Sequence, residues 1–546
     1  MKNILERFIL LLLIPVLLIA HNARTNFELK KEYPDCGLFM IPQTPLTLVR
    51  PARPTLSGPV SYRVKTHVRV HYTTSGSDAT TLAYAESTAV FAETAWARVT
   101  NLGWYTPPPD QNVGGDNLFD IYLRSTANLG AYGVSVPDSA YTNPFPDGYS
   151  SWVEVTKDSV EQPFPRFHRL KALVAHEFHH SCQMRYSRFE QPFWWYYENT
   201  STWIEDILFP GYGTLYWRNK GTDYIPNPLT HTYYPINSTA SIYEYPGGLW
   251  PKFLAEYYGS DTPRLVWVLC GSHAGDHILY DTDSVLRINY TATLSNANGH
   301  YGVWRYFTGL RDDNDHFGGA ELCSTAVVLA THSSYPASGN QGTSNPSGPG
   351  GCNFIQFTGL GDNVIKVFFD GQNGYEWSAY VLGRWGSYSM EYKIALEPTQ
   401  DTGSIIVPGW EFSEVVLVPV MTQWSSSANS LTYSYTVTRT PAFDVPADGV
   451  LNQVERISFP MLNIEPNPFK TQTVIRYSLP ANSYNSSLEI YDATGRFVTS
   501  PQPQVTSNCF VWDGRDANGQ KVKNGVYFCC LTTDNQIVKK RITVLR

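Results

Sequence analysis

Apolar and polar positions follow two different periods between residues 60 and 210. His67-Val-Arg-Val-His-Tyr-Thr73 alternates, and Leu118-Phe-Asp-Ile-Tyr-Leu123 and Ser151-Trp-Val-Glu-Val155 are short apolar-rich runs, which predicts three strands. Asp78 to Val99 is rich in Ala, Thr and Glu and predicts a helix, stopped by Gly103 and the Pro107-Pro-Pro109 run. Phe167 to His176 holds no Pro or Gly and is made of good helix formers, so a second helix should run into the residues that follow. Trp194 to Asp206 predicts a third. Residues 210–300 show one clear helix, Leu249 to Tyr258, with Pro251 tolerated in its first turn.

From about residue 320 the pattern changes to β. The Ser/Gly/Pro-rich loop Ser338 to Gly351 leads into Phe354-Ile-Gln-Phe357, Val364-Ile-Lys-Val-Phe-Phe369, Ser378-Ala-Tyr-Val-Leu382 and Val415-Val-Leu-Val-Pro-Val420. Short strands at regular spacing with turn signals between them predict a β-sandwich. It carries no catalytic constellation; carbohydrate binding, protein binding and bracing are all open to it, with bracing the default. The last eighty or so residues alternate again, with Asp-Gly and Gly turns, and predict a small Ig-like sandwich.

Composition narrows the class. The 546 residues carry a net charge of −8 and show no basic stripe, which argues against a nucleic-acid partner. Only 16% are charged, whereas Tyr and Trp number 36 and 15, as in an extracellular, loop-rich β protein. Lys2 and Arg7 precede the apolar run Phe8 to Ala20, the length of a signal-peptide core and too short for a comfortable transmembrane span. Ala20 or Ala23 ends it. The first cysteine, Cys36, lies too far on for lipid anchoring at the cleavage point, and no later run approaches a membrane span. The eight cysteines show no C-x-x-C pairing. Export permits disulfides: Cys323 and Cys352 flank a loop, and Cys509 is a candidate partner of Cys529 or Cys530.

The chemistry concentrates at His176-Glu-Phe-His-His180, an H-E-x-x-H motif. On a helix, positions i and i+4 share a face, so His176 and His180 can present their imidazoles to one metal ion. Glu177 then sits where it can take a proton from a metal-bound water. His179 projects away from that face and reads as a packing or surface residue, and Cys182 as a buried thiol. Catalytic zinc needs a third protein ligand. The metzincin pattern requires Gly at 183 and His at 186, but the chain has Gln183 and Tyr186. A glutamate on a second helix, roughly 18–20 residues on, is the other solution, and Glu198 lies at that spacing. Glu205, seven residues further and on the same helical face, is either an outer acceptor for a ligand histidine N–H or a solvent-facing glutamate beside Asp206. Tyr243, Tyr245, His231 and His273 are candidate oxyanion donors, none of them assigned.

His176-Glu-Phe-His-His180-x-x-Gln183 followed by Trp195-x-x-Glu198-x-x-x-x-Trp203-x-Glu205 resembles the glutamate-type zincins (gluzincins), closest to a group of secreted bacterial metallopeptidases. The resemblance implies His176, His180 and Glu198 as Zn2+ ligands, Glu177 as the general base, and a substrate-binding sheet edge at the strand before the metal helix. Asn199, Thr200 and Ser201 stand where that group usually has Gly or Ala. A second resemblance rests on Glu465-Pro-Asn-Pro-Phe469, Leu488-Glu-Ile-Tyr-Asp-Ala-Thr-Gly495, Val511-Trp-Asp-Gly514, Gly525-Val-Tyr-Phe528 and the terminal Lys539-Lys-Arg541. This set is similar to the C-terminal sorting domain of bacterial type IX secretion, which implies outer-membrane secretion machinery as a partner.

The expected organisation is a multidomain chain: signal peptide 1–23, N-terminal extension 24–58, α+β zincin-like metallopeptidase domain 59–319, β-sandwich 320–442, linker 443–458 and Ig-like sorting domain 459–546. The expected function is a secreted or cell-surface endopeptidase that hydrolyses protein or peptide substrates through a zinc-activated water. The alternative is a non-catalytic surface adhesin or binding protein that retains a zincin fold.

Overall fold

The computed structural model describes residues 51–158, 166–187, 194–220, 226–273, 277–340, 344–386, 388–399, 401–425, 429–441, 461–478, 486–500, 509–532 and 537–545. The expected signal peptide, residues 24–50 of the expected N-terminal extension and the expected linker lie outside them. Internal contacts divide the chain into two compact units, one of Met1–Glu190 with Leu208–Tyr212, the other of Gln191–Ile207 with Gly213–Arg546.

The first unit is built on a five-stranded sheet. Its strands are β1 (Val60–Val64), β2 (Val68–Thr73), β3 (Phe119–Arg124), β4 (Gly133–Ala140) and β5 (Tyr149–Thr156), in the spatial order β1-β2-β3-β5-β4. The β2, β3 and β5 strands run parallel, whereas β1 and β4 are antiparallel edges. This corrects one expectation. The strand before the helix that carries His176 and His180, β5, is interior to the sheet, and the edge is β4. Helix α1 (Leu82–Asn101) starts four residues later than expected, because Thr81 caps it by accepting the Tyr84 N–H. Asp78 stays outside the helix and accepts the backbone N–H groups of Ser57 and Ser125, at 3.0 and 2.8 Å.

Helix α2 (Arg166–Tyr186) packs on α1, β4 and β5 and is buried almost all round, as a helix with apolar residues on most faces must be. Phe178 meets Trp96 of α1 and Phe119 of β3, with ring centroids 5.7 and 5.5 Å away. Burying such a side chain contributes about 1.5–3 kcal/mol.

The second unit opens with α3 (Trp194–Leu208), of which Leu208 falls to the first unit, and continues through α4 (Leu249–Tyr257), α5 (Thr262–Gly271), α6 (Ile278–Tyr290) and α7 (Leu294–Trp304). Two sheets follow. One is ordered β11-β10-β13-β8-β6, from β6 (Ala330–His332), β8 (Ile355–Phe357), β10 (Trp377–Trp385), β11 (Tyr388–Ile394) and β13 (Glu414–Met421). The other is β12-β9-β14-β7, from β7 (Ala337–Asn340), β9 (Asn363–Gly371), β12 (Thr402–Pro408) and β14 (Tyr433–Pro441). Their inner faces share one apolar core that includes Phe357, Val367, Phe369 and Leu417. The loop expected from Ser338 begins as strand β7. His316 is buried and bonded on both ring nitrogens, Nδ1 to Asp313 at 3.0 Å and Nε2 to Glu391 of β11 at 2.9 Å. The suggested Cys323–Cys352 bridge is absent: both thiols are buried and free, and Cys352 Sγ lies 3.1 Å from the Arg305 guanidinium that donates to it. The Cys509 side chain falls outside the described residues.

The C-terminal strands β15 to β21 (Met461–Glu465, Thr473–Ser478, Ser487–Asp492, Phe497–Thr499, Cys509–Trp512, Gly525–Thr532 and Ile537–Val544) form sheets β15-β16-β19 and β18-β17-β20-β21 around a common core. No described helix is long and apolar enough to cross a membrane.

Candidate metal centre

The i, i+4 spacing on α2 brings His176 and His180 together, both buried. Their Nε2 atoms are 3.0 Å apart, with the rings nearly perpendicular at 88°. Two imidazole nitrogens bound tetrahedrally at about 2.0–2.1 Å from zinc would be about 3.3 Å apart, so the spacing suits one shared ion. His180 Nδ1 meets Gln183 Oε1 at 2.7 Å. An amide oxygen only accepts, so the ring carries its proton on Nδ1 and turns the Nε2 lone pair outward. Gln183 thus fixes the His180 tautomer, a role its sequence position alone did not suggest, although the i, i+3 spacing from His180 to an amide was the available signal.

Glu177 is fully buried. The Ser135 hydroxyl on β4 is 2.6 Å from the Glu177 backbone oxygen and 3.1 Å from its Oε2, and donates to them. Two residues earlier on β4, Gly133 gives the carboxylate its space, since a Cβ there would lie 2.5 Å from Glu177 Oε1. The expectation that His179 turns from the metal face fits its setting, buried edge-on against Trp104 with centroids 4.6 Å apart. Burial, and then the neighbouring His180 and His176, push its pKa well below the ordinary histidine value. Cys182 is a buried thiol, as expected, with its pKa raised by burial.

Helix α3 carries Glu198, which is also buried. The ligand atoms of His176, His180 and Glu198 all lie within 4.8 Å of one another, and among the described residues no other His, Cys, Asp or Glu group converges in this way. Two imidazoles and a carboxylate are a donor set that zinc accepts. The bulk of Asn199 relative to Gly or Ala is accommodated by Gly247, where a Cβ would lie 2.4 Å from Asn199 Oδ1. Glu205 is buried, so the solvent-facing reading falls; its Oε2 accepts the Thr214 N–H at 2.7 Å.

Of the oxyanion candidates, Tyr243 is buried against Tyr234, Tyr245 is buried with the Arg218 guanidinium 4.6 Å above its ring, His231 Nδ1 bonds Thr230, and His273 bonds Asp281. Between the two tyrosines, Glu244 went unnoticed in the sequence. Burial first, then the charge of Glu198, push its pKa up to about 8, against the opposing pull of Arg218.

A family model described as the FlgD Ig-like domain matches residues 468–536, so the C-terminal region is Ig-like. No curated protein matches the chain. Among solved structures, PorZ, a surface component of the type-IX secretion system of Porphyromonas gingivalis, is similar at 16% identity over 29% of this chain and 21% of its own, with a TM-score of 0.14. Latent PorU from the same organism is similar at 19% identity over 32% of this chain and 16% of its own, with a TM-score of 0.15. CopC from Methylosinus trichosporium OB3b is similar at 19% identity over 16% of this chain and 93% of its own, with a TM-score of 0.13. The chain spans about a fifth of PorZ and about a sixth of PorU. TM-scores this low carry no argument about fold or activity.

Proposed function

We propose that this chain is a secreted zinc-dependent endopeptidase. The observation that carries the reading is the buried convergence of His176, His180 and Glu198 next to Glu177. These three side chains would hold the ion. When bound, zinc supplies Lewis acidity, to a water and to a substrate carbonyl. The residues of the chain do the rest. Gln183 holds His180 with its lone pair on Nε2. Glu177 accepts the proton of the attacking water and passes it to the leaving amine, and Ser135 steadies the carboxylate at Oε2 while it does so. An extended peptide would pair along β4, an edge of the sheet among the described residues, through backbone hydrogen bonds. The Ig-like C-terminal region would serve export, with outer-membrane secretion machinery as its partner; the match to an Ig-like family model supports the fold part of that reading.

The test is Glu177→Gln, which keeps the side-chain volume but cannot take the proton. Zinc content and thermal stability should match wild type, while hydrolysis of casein or gelatin falls by about 10²–10⁴-fold at equal zinc occupancy. Equal activity in both would remove Glu177 as the base. Zinc bound with no hydrolysis in either, across a broad peptide library, would favour the surface-binding alternative.

A further inference from the structure

The middle β domain carries a cavity of about 440 Å³ at the junction of α7, the start of β10 and the β11–β12 turn. That is within the range of about 300–1,000 Å³ typical of small-molecule sites. We propose that it is a carbohydrate-binding subsite, taking the end of a neutral glycan. None of its lining residues belongs to the His176, His180 and Glu198 group, and the inference does not rest on the peptidase reading.

The lining decides the ligand class. Three carboxylates, Glu376, Glu397 and Asp401, face the cavity together with Lys393 and the amides of Asn296 and Gln423. They do not converge: among the described residues only the His/His/Glu group brings its ligand atoms within 4.8 Å of one another, and these three acids do not. They are instead spread around a space large enough for a ring. An anionic ligand would meet three carboxylates, and a basic side chain would meet Lys393. A polyol meets no such conflict, because each sugar hydroxyl donates to a carboxylate and accepts from an ammonium or amide at the same time.

The site is also held in place. Glu376 Oε2 accepts from the Ser295 hydroxyl at 2.8 Å, and the Glu376 N–H donates to Gln423 Oε1 at 3.2 Å. Asp401 is nine-tenths buried and accepts the Gly374 N–H; burial raises its pKa. Tyr375 lines the cavity from a half-buried position on the sandwich core. An aromatic residue at the lining suits the apolar C–H face of a pyranose, next to polar groups that would read the hydroxyls.

The experiment titrates the full-length secreted chain with cello-, xylo-, manno- and chitohexaose by calorimetry. At least one should bind with a Kd below about 1 mM. Glu376→Gln and Gln423→Ala should each weaken it by about tenfold or more, as expected for a lost hydrogen bond to a bound hydroxyl. Tyr375→Ala should do the same, with unchanged thermal unfolding showing that the domain is intact. Three results would overturn the proposal. One is no hexaose bound below about 10 mM. The second is binding indifferent to both polar substitutions. The third is stabilisation by calcium chloride or by a lysine-rich peptide that Glu376→Gln abolishes.

Discussion

Gln183→Leu isolates the control of the His180 tautomer. In wild type, Nδ1–H donates to Gln183 Oε1 at 2.7 Å in a fully buried setting. Leucine removes the acceptor and admits no water in its place. A buried donor stripped of its partner costs about 1–3 kcal/mol, and the imidazole becomes free to carry its proton on Nε2, the atom the metal needs. Outer partners of histidine ligands typically contribute about 10–100-fold in metal affinity, or about 1.4–2.7 kcal/mol, which agrees with the hydrogen-bond figure. Zinc affinity should therefore fall by that factor, read by competition with a chromophoric chelator near neutral pH. Gln183→Glu keeps an acceptor of similar reach and should retain wild-type affinity or exceed it. Unchanged affinity in Gln183→Leu would refute the tautomer argument. Equal weakening in both variants would show that the shape of Gln183 matters rather than its oxygen.

Gly133→Ala should keep zinc but lower peptidase activity by at least about tenfold, since the new methyl displaces the Glu177 carboxylate; full activity with zinc bound would show that activity does not depend on the space Gly133 leaves for that carboxylate. His316 gives a pH prediction. Burial pulls its pKa down, but Asp313 and Glu391 outweigh this and raise it to about 10, above the unfolded value near 6.5. Its contribution to stability is therefore complete below about pH 6.5 and lost as pH rises through about 10. Thermal unfolding should show a steeper alkaline fall for wild type than for His316→Gln, and parallel profiles would contradict the assignment. Deleting residues 459–546 should leave the protein in the periplasm of its host, and normal appearance outside the cell, by immunoblot of fractions, would remove the sorting role.

What could be read from the sequence followed the strength of local patterns. The strands at β2, β3 and β5 are β-branched or aromatic and were legible, as was α2, whose helix formers run unbroken into the histidines. The edge strand was not. Gly133-Val-Ser-Val-Pro-Asp-Ser-Ala140 contains Gly, Pro and Asp, which disfavour a strand by propensity, and its pairing with β5 overrides them. Helix α7 was hidden in the same way: Leu294–Trp304 holds two Gly and two Asn, yet a capping box at Thr293 and packing against β13 sustain it. The three candidate ligands and the base came from spacing alone. Ser135 did not, because it comes from a distant part of the chain, and no spacing rule connects residue 135 to residue 177.

The pairing of β4 with β5 has a consequence for function. Gly133 and Ser135 point to the same side of the strand, one leaving space for Glu177 and the other donating to it. Slipping the strand by one residue would turn both away and place valines, at 134 and 136, against the carboxylate. A misaligned hairpin could fold, hold metal and still lack a supported base. On the peptidase reading, correct strand alignment during folding would itself be a condition of catalytic competence, and populations that differ only in that alignment would differ in specific activity at equal zinc content.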